Sequence, residues 1–306
     1  MKTAAFVLAV LGLAGPLSLA AQQAPSPPAP SPFPAPAPSS AEPAVLVGAG
    51  DIADCAHIDD ARRTAAIVEK IPGTVFTLGD NAYPSGTAEQ FTACYAPTWG
   101  RFKDRTRPAV GNHDYRTAGA GAYFAYFGKA AGDPLRGYYS YDLGGWHVLV
   151  VNSNCEQVGG CQRNSPQETW VREDLAAHPA LCTIAMWHHP RFSSSEHGDD
   201  LAMRFIWKDL YDAGADVVLT GHDHTYERFA PLDASGARDP RRGIREFVAG
   251  TGGRSLYRWA DIHSSSEVRE NTAYGVLKLT LRPDSYDWRF IAAEGDFQDE
   301  GTGKCH

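Results

Sequence analysis

Five stretches of this chain share one design, which limits the folds open to it. Val45-Leu46-Val47 leads into Gly48-Ala49-Gly50-Asp51, and Val75-Phe76-Thr77-Leu78 into Gly79-Asp80. Pro108-Ala109-Val110 leads into Gly111-Asn112, and Val217-Val218-Leu219-Thr220 into Gly221-His222. The fifth run, Thr183 to Trp187, ends in His188-His189-Pro190 without the glycine. Continuous apolar runs suit strands buried on both faces. A glycine just beyond lets the backbone turn sharply and approach a ligand closely.

Helical patterns separate several of these runs. Asp59 to Ile71 is one, Ser165-Pro166-Gln167-Glu168 opens a second with a capping box, and a third is predicted from about Asp199 to Ala213. Two hairpins are predicted, Tyr138–Leu143 with Trp146–Val151 and Val276–Leu281 with Tyr286–Ile291. Mixed runs and helices imply an α/β sandwich with sheets inside and helices outside. Ligands in open α/β sheets bind beyond the carboxyl ends of strands, where each polar residue named above falls.

The 306 residues carry a formal net charge of −8, and no basic run offers a nucleic-acid surface. An anionic substrate would therefore need a local positive charge, which a metal site supplies. Residues 1–20 read as an export signal: Lys2, an apolar stretch Ala4–Gly15, then Ser18-Leu19-Ala20. The alternative is a membrane anchor, should Thr3–Ala21 remain uncleaved. Residues 21–43, rich in Pro, Ala and Ser, read as an extended linker, and 44–306 as the folded domain. Six cysteines in an exported chain favour disulfides, and no CxxC pair argues for zinc. Cys155 and Cys161 bracket a short loop, Cys55 and Cys94 each follow one of the strand ends named above, and Cys182 and Cys305 remain as the third pair.

The strand-end residues Asp51, Asp80, Asn112, His188, His222 and His224, with Tyr83 three positions after Asp80, are oxygen and nitrogen donors suited to iron, zinc or manganese. One such Asp is ordinarily a cap or turn residue. Five strand ends carrying an ordered donor set are not explained that way. Gly50-Asp51, Gly79-Asp80-Asn81-Ala82-Tyr83, Gly111-Asn112-His113-Asp114, His188-His189-Pro190 and Gly221-His222-Asp223-His224-Thr225-Tyr226-Glu227-Arg228 resemble, in order, the five motif blocks of calcineurin-like metallophosphoesterases, in the purple acid phosphatase variant. Ala53 stands where that variant has Gly and other members have a ligating His. The resemblance spans about Ala44 to Phe229 and weakens beyond.

The resemblance implies a four-layer α/β/β/α sandwich with two mixed sheets, in a single-domain form. It places Asp51, Asp80, Tyr83 and His224 on one metal and Asp80, Asn112, His188 and His222 on the other, with Asp80 bridging. Two carboxylates and a phenolate balance a trivalent ion, whereas the second set suits a divalent one. The expected pair is Fe(III) with Zn, Mn or Fe(II). Two metals ~3.5–4 Å apart can hold a hydroxide and orient a phosphoryl group. The leaving alkoxide then needs a proton, and His113 and His197 are the candidate donors. Asn112, His113 and His197 would face substrate, with Asp114 and His189 supporting the ligands.

The expected reaction is hydrolysis of a small phosphate monoester. A phosphodiesterase or nucleotidase would use the same centre, and a non-catalytic phosphate- or metal-binding protein is the reading from another class. The absence of HExxH excludes a zinc protease of that type. Oligomeric state is not legible.

Overall fold

The computed structural model describes Met1 and residues 42–306. The signal, the anchor alternative and all of the linker but Glu42 and Pro43 lie outside the described residues. No helix among the described residues is long and apolar enough to cross a membrane.

The chain begins β1 (Ala44–Ala49), β2 (Ala53–Asp54), α1 (Ile58–Glu69), β3 (Thr74–Leu78), β4 (Ala82–Tyr83), α2 (Ala88–Gln90) and β5 (Thr106–Ala109). It continues with α3 (Gly121–Phe127), β6 (Tyr139–Leu143), β7 (Trp146–Val150), α4 (Pro166–Ala177), β8 (Thr183–Met186) and α5 (Arg204–Asp212). Seven strands complete it: β9 (Val217–Thr220), β10 (Tyr226–Phe229), β11 (Arg245–Ala249), β12 (Ser266–Glu270), β13 (Gly275–Arg282), β14 (Ser285–Ala292) and β15 (Gln298–Lys304). One sheet has the order β15-β14-β13-β1-β3-β5 and the other β12-β10-β11-β9-β8-β7-β6. Both are mixed. β1, β3 and β5 run parallel, as do β7, β8, β9 and β11, and the flanking strands are antiparallel.

Side-chain alternation explains the continuous apolar runs. Leu46, Val148, Met186 and Leu219 point between the sheets into one core. Their neighbours Val47, Leu149, Ala185 and Val218 point outward, Val47 against α1 and the others against α4 and α5. Neither face meets water, so neither can be polar. Burying each such Leu or Val contributes about 1.5–3 kcal/mol. The four layers expected from the resemblance are present.

Two local expectations need correction. Ser165 caps α4, accepting from the Glu168 N–H at 3.3 Å, but the Glu168 carboxylate reaches Asn164 N, 2.8 Å away, so the reciprocal half of the box is displaced by one residue. The third helix starts at Arg204, not Asp199, because Asp199 instead accepts from Ser193 N and Asp200 caps a short 3-10 turn at Leu201–Met203. Both hairpins form as read. So do the disulfides Cys55–Cys94, Cys155–Cys161 and Cys182–Cys305. The last closes 123 residues and ties β15 to β8, a constraint worth about 4–5 kcal/mol on the chain-entropy picture.

Candidate metal centre

The carboxyl ends of β1, β3 and β5 in one sheet face those of β8 and β9 in the other, and the five motif blocks meet there. Asp51, Asp80 and His222 take left-handed backbone conformations, with φ of 59°, 50° and 67°. That is costly for residues other than glycine and marks backbone held to aim a side chain. Two glycines make the approach possible. A Cβ on Gly79, whose φ is 85°, would lie 2.6 Å from His188 Nδ1, and one on Gly111 would lie 2.1 Å from Asp80 Oδ1.

On one side of the centre, the Tyr83 hydroxyl lies 2.7 Å from Asp51 Oδ1, 2.9 Å from Asp80 Oδ2 and 3.1 Å from His224 Nε2. A phenol has one proton and can donate to only one of these. His224 does not relieve the shortage in its neutral form, because its Nδ1–H donates to the Ser255 carbonyl at 2.7 Å and leaves Nε2 as a lone pair. On the other side, His188 Nδ1 donates to the Leu78 carbonyl at 2.7 Å. Its bare Nε2 then faces Asn112 Oδ1 at 2.9 Å, His222 Nδ1 at 3.2 Å and Asp80 Oδ1 at 3.4 Å. Each side is a group of lone pairs aimed at a common point. Asp80 offers one oxygen to each.

Without a cation, protons must compensate. Burial opposes charging of His188, yet the Asp80 charge and hydrogen bond overcome it and lift the imidazole to about 9. Burial, then the charges of Asp51 and Asp80, pushes the Tyr83 phenol well above its usual range. Burial and the neighbouring His188 drive His189 down to about 3. A metal ion on each side would satisfy the same lone pairs without stray protons, so the residues present fit a two-metal group. Asp51, Asp80 and His188 bring donor atoms within 4.8 Å of one another, and so do His188, His189 and His222.

The other predicted residues surround this core. The His113 ring lies 4.5 Å from that of Tyr83, and its Nδ1 is tied to the Pro84 carbonyl at 2.7 Å. The exposed His197 ring stacks on His222 at 4.3 Å. Asp114 is buried and accepts from Gly111 N at 2.9 Å and Asn81 Nδ2 at 3.0 Å, locking the second and third blocks together. His189 hydrogen-bonds Ser153 Oγ at 2.8 Å and packs its ring 4.8 Å from His188 and 4.3 Å from His222.

Sequence reasoning missed the segment after β11. Ser255 fixes the His224 tautomer, Tyr257 stacks on His224 at 3.8 Å, and the Arg254 guanidinium sits 5.1 Å from the Tyr83 ring while pairing with Asp54. The signal was present: Phe247-Val248-Ala249 is a sixth apolar run and, like four of the other five, leads into a glycine, Gly250. Asp223 and Glu227 were also passed over. They hold Ser193 and Ser194, and Asp223 accepts from His197 N at 3.2 Å.

The model of the calcineurin-like phosphoesterase family matches residues 44–226. Purple acid phosphatase 15 of Arabidopsis thaliana is 25% identical over 226 residues, 62% of this chain and 41% of its own length. The chain spans less than half the length of the curated relatives heading the comparison. A purple acid phosphatase from yellow lupin (Lupinus luteus) seeds has a TM-score of 0.69 at 18% identity, covering 87% of this chain and 55% of the other. The anchor in the inner membrane complex of Plasmodium scores 0.68 at 14% identity, covering 87% and 89%. These two likenesses are of fold. With the family model matching more than half of its residues, the chain belongs to the calcineurin-like phosphoesterase family and is purple-acid-phosphatase-like.

Proposed function

We propose that this protein hydrolyses small phosphate monoesters at a two-metal centre. The observation that carries the reading is the pair of lone-pair clusters divided by Asp80. Asp51, Asp80, Tyr83 and His224 would hold one ion, and Asp80, Asn112, His188 and His222 the other. The phenolate and two carboxylates favour Fe(III) on the first side, and the neutral imidazoles and amide favour Zn, Mn or Fe(II) on the second. Such ions supply water activation and offset the charge of the transferring phosphoryl group.

The protein's own residues do the rest. Because the His113 Nδ1 is engaged by Pro84, its Nε2 is the nitrogen directed at the centre, 3.8 Å from Asp80 Oδ2, where it can bind a phosphoryl oxygen. His197 stands on the solvent side of His222, placed to give a proton to the departing alkoxide. A groove of about 330 Å³ opens beside Asn112, lined by Tyr115, Arg116, Asn154, Glu156 and Gln157 among others, and it would receive the leaving group. The disulfides support action outside the reducing cytosol.

Metal analysis with a visible spectrum and a substrate panel across pH tests this. Two metals per chain and faster turnover of monoesters than diesters are expected. Preference for diesters would move the assignment to a phosphodiesterase, and a fully loaded protein without turnover would make it a binding protein.

A further inference from the structure

His197, the candidate proton donor, is exposed on the loop between β8 and α5. Among the described residues, its one hydrogen bond is through the backbone, from His197 N–H to Asp223 Oδ1 at 3.2 Å. Neither ring nitrogen is engaged. Two neighbouring rings hold the imidazole instead. It stacks on His222 with centroids 4.3 Å apart and planes at 25°. Tyr257 meets it at 5.4 Å and 70°, an edge-to-face contact.

Tyr257 is itself fixed from several directions. Its ring lies on that of His224 at 3.8 Å and 18°. Its backbone N–H donates to the His224 carbonyl at 3.1 Å, and its own carbonyl accepts from Asn271 Nδ2 at 2.8 Å. The residues that follow are paired with the loop that carries His197. Arg258 N–H donates to Glu196 Oε1 at 3.1 Å, Trp259 forms an antiparallel bridge with Ser195, and Ala260 N–H donates to the Ser194 carbonyl at 2.9 Å. Half-buried Tyr257 thus stands at the head of a strap that joins this loop to His224.

We infer that Tyr257 is a positioning residue for the reaction, its ring setting where the His197 imidazole stands relative to the leaving group. The inference rests on the phosphomonoester reading proposed above. A general acid must keep an N–H free for the oxygen it protonates. A side-chain acceptor on the imidazole would occupy that proton, whereas an aromatic edge restricts the ring and leaves both nitrogens open. Protonated His197 would then pass its N–H proton to the alkoxide oxygen as the P–O bond breaks, and take one back from solvent.

The test compares kcat on an alkyl phosphate and on nitrophenyl phosphate, with metal content measured alongside. Tyr257→Ala is expected to lower kcat on the alkyl ester up to about 100-fold, as a reacting group misplaced by an ångström does. The loss on nitrophenyl phosphate should be small and both metals should stay. Tyr257→Phe, which keeps the ring, should restore the alkyl phosphate rate. Tyr257→Leu, which keeps bulk against His224 but has no flat edge, serves as the second truncation should alanine unsettle the fold. In a His197→Ala background, Tyr257→Ala should cost nothing further on the alkyl ester. A readout without turnover is the ring resonances of His197 in histidine-labelled, zinc-loaded protein, assigned by their loss in His197→Ala. They should shift in Tyr257→Ala and stay in place in Tyr257→Phe. Equal losses on both esters, additive losses in the double variant or unshifted His197 resonances would overturn the inference and leave the hydrolysis reading standing. A wild type that cleaves neither ester would sink both.

Discussion

The two sides of the central site are built from different chemistry on a shared carboxylate. The Tyr83 side gathers two carboxylates, a phenol and one imidazole, all buried. The His188 side has two imidazoles and an amide besides Asp80, and its His222 and Asn112 reach partly exposed positions. Each also has its own neighbouring histidine: His113 lies on the ring of Tyr83, and His197 on the ring of His222. The contrast teaches that one set of donors is closed off from solvent while the other opens to it. On the proposed reading, the first would hold the more highly charged ion and the second would exchange its ion and meet the leaving group.

Loss of the shared residue should have the largest effect. Asp80→Ala is expected to release both metals and abolish activity, read by elemental analysis and turnover. Two metals retained in that variant would show that the sides are independent and the bridge wrong. Next in size is His197→Ala, expected to lower kcat by ~10²–10⁴-fold on alkyl phosphates, the range of general acid catalysis. On nitrophenyl phosphate, whose phenolate leaves unassisted, the loss should be small. Equal losses on both substrates would make His197 a positioning residue. A leaving-group-dependent loss in His113→Ala instead would exchange the roles of the two sides.

Asn112→Ala should act on one side only, weakening the divalent ion by at least the roughly 10–100-fold that loss of a ligand's outer partner costs, because Asn112 is itself a proposed ligand. Competition with a chelator reads this, and simultaneous release of both ions would erase the distinction. The smallest effect on metal binding is expected from Tyr83→Phe. Phenolate bound to Fe(III) gives a visible charge-transfer band, so the variant should be bleached while still holding two ions. If the band survives, the phenolate is another tyrosine, and Tyr257, stacked on His224, is the first to examine.

Much of this was legible because it is local. An apolar run followed by glycine and a polar residue needs only a few consecutive positions to declare itself, as at Phe76-Thr77-Leu78-Gly79-Asp80. The helix through Arg204–Asp212 was misplaced at its start because Asp199 and Asp200 are engaged by loop backbone. No local propensity reports that choice. Ser255 and Tyr257 were missed for a related reason: their contacts with His224 join distant segments, 31 residues apart in the case of Ser255.

The sequence alone determined the strand ends, the donor types and their order, because apolar periodicity and glycine placement act over a few residues. It also identified the local disulfide Cys155–Cys161. Only the tertiary structure decided which lone pairs converge. The tautomers of His188 and His224 are set by the carbonyls of Leu78 and Ser255, groups every residue carries and no sequence pattern marks. The partition of Asp80 between the two sides depends on two sheets facing each other across a packed core. Such contacts arise from burying apolar area and satisfying buried polar groups throughout the chain, so no short window of residues contains them.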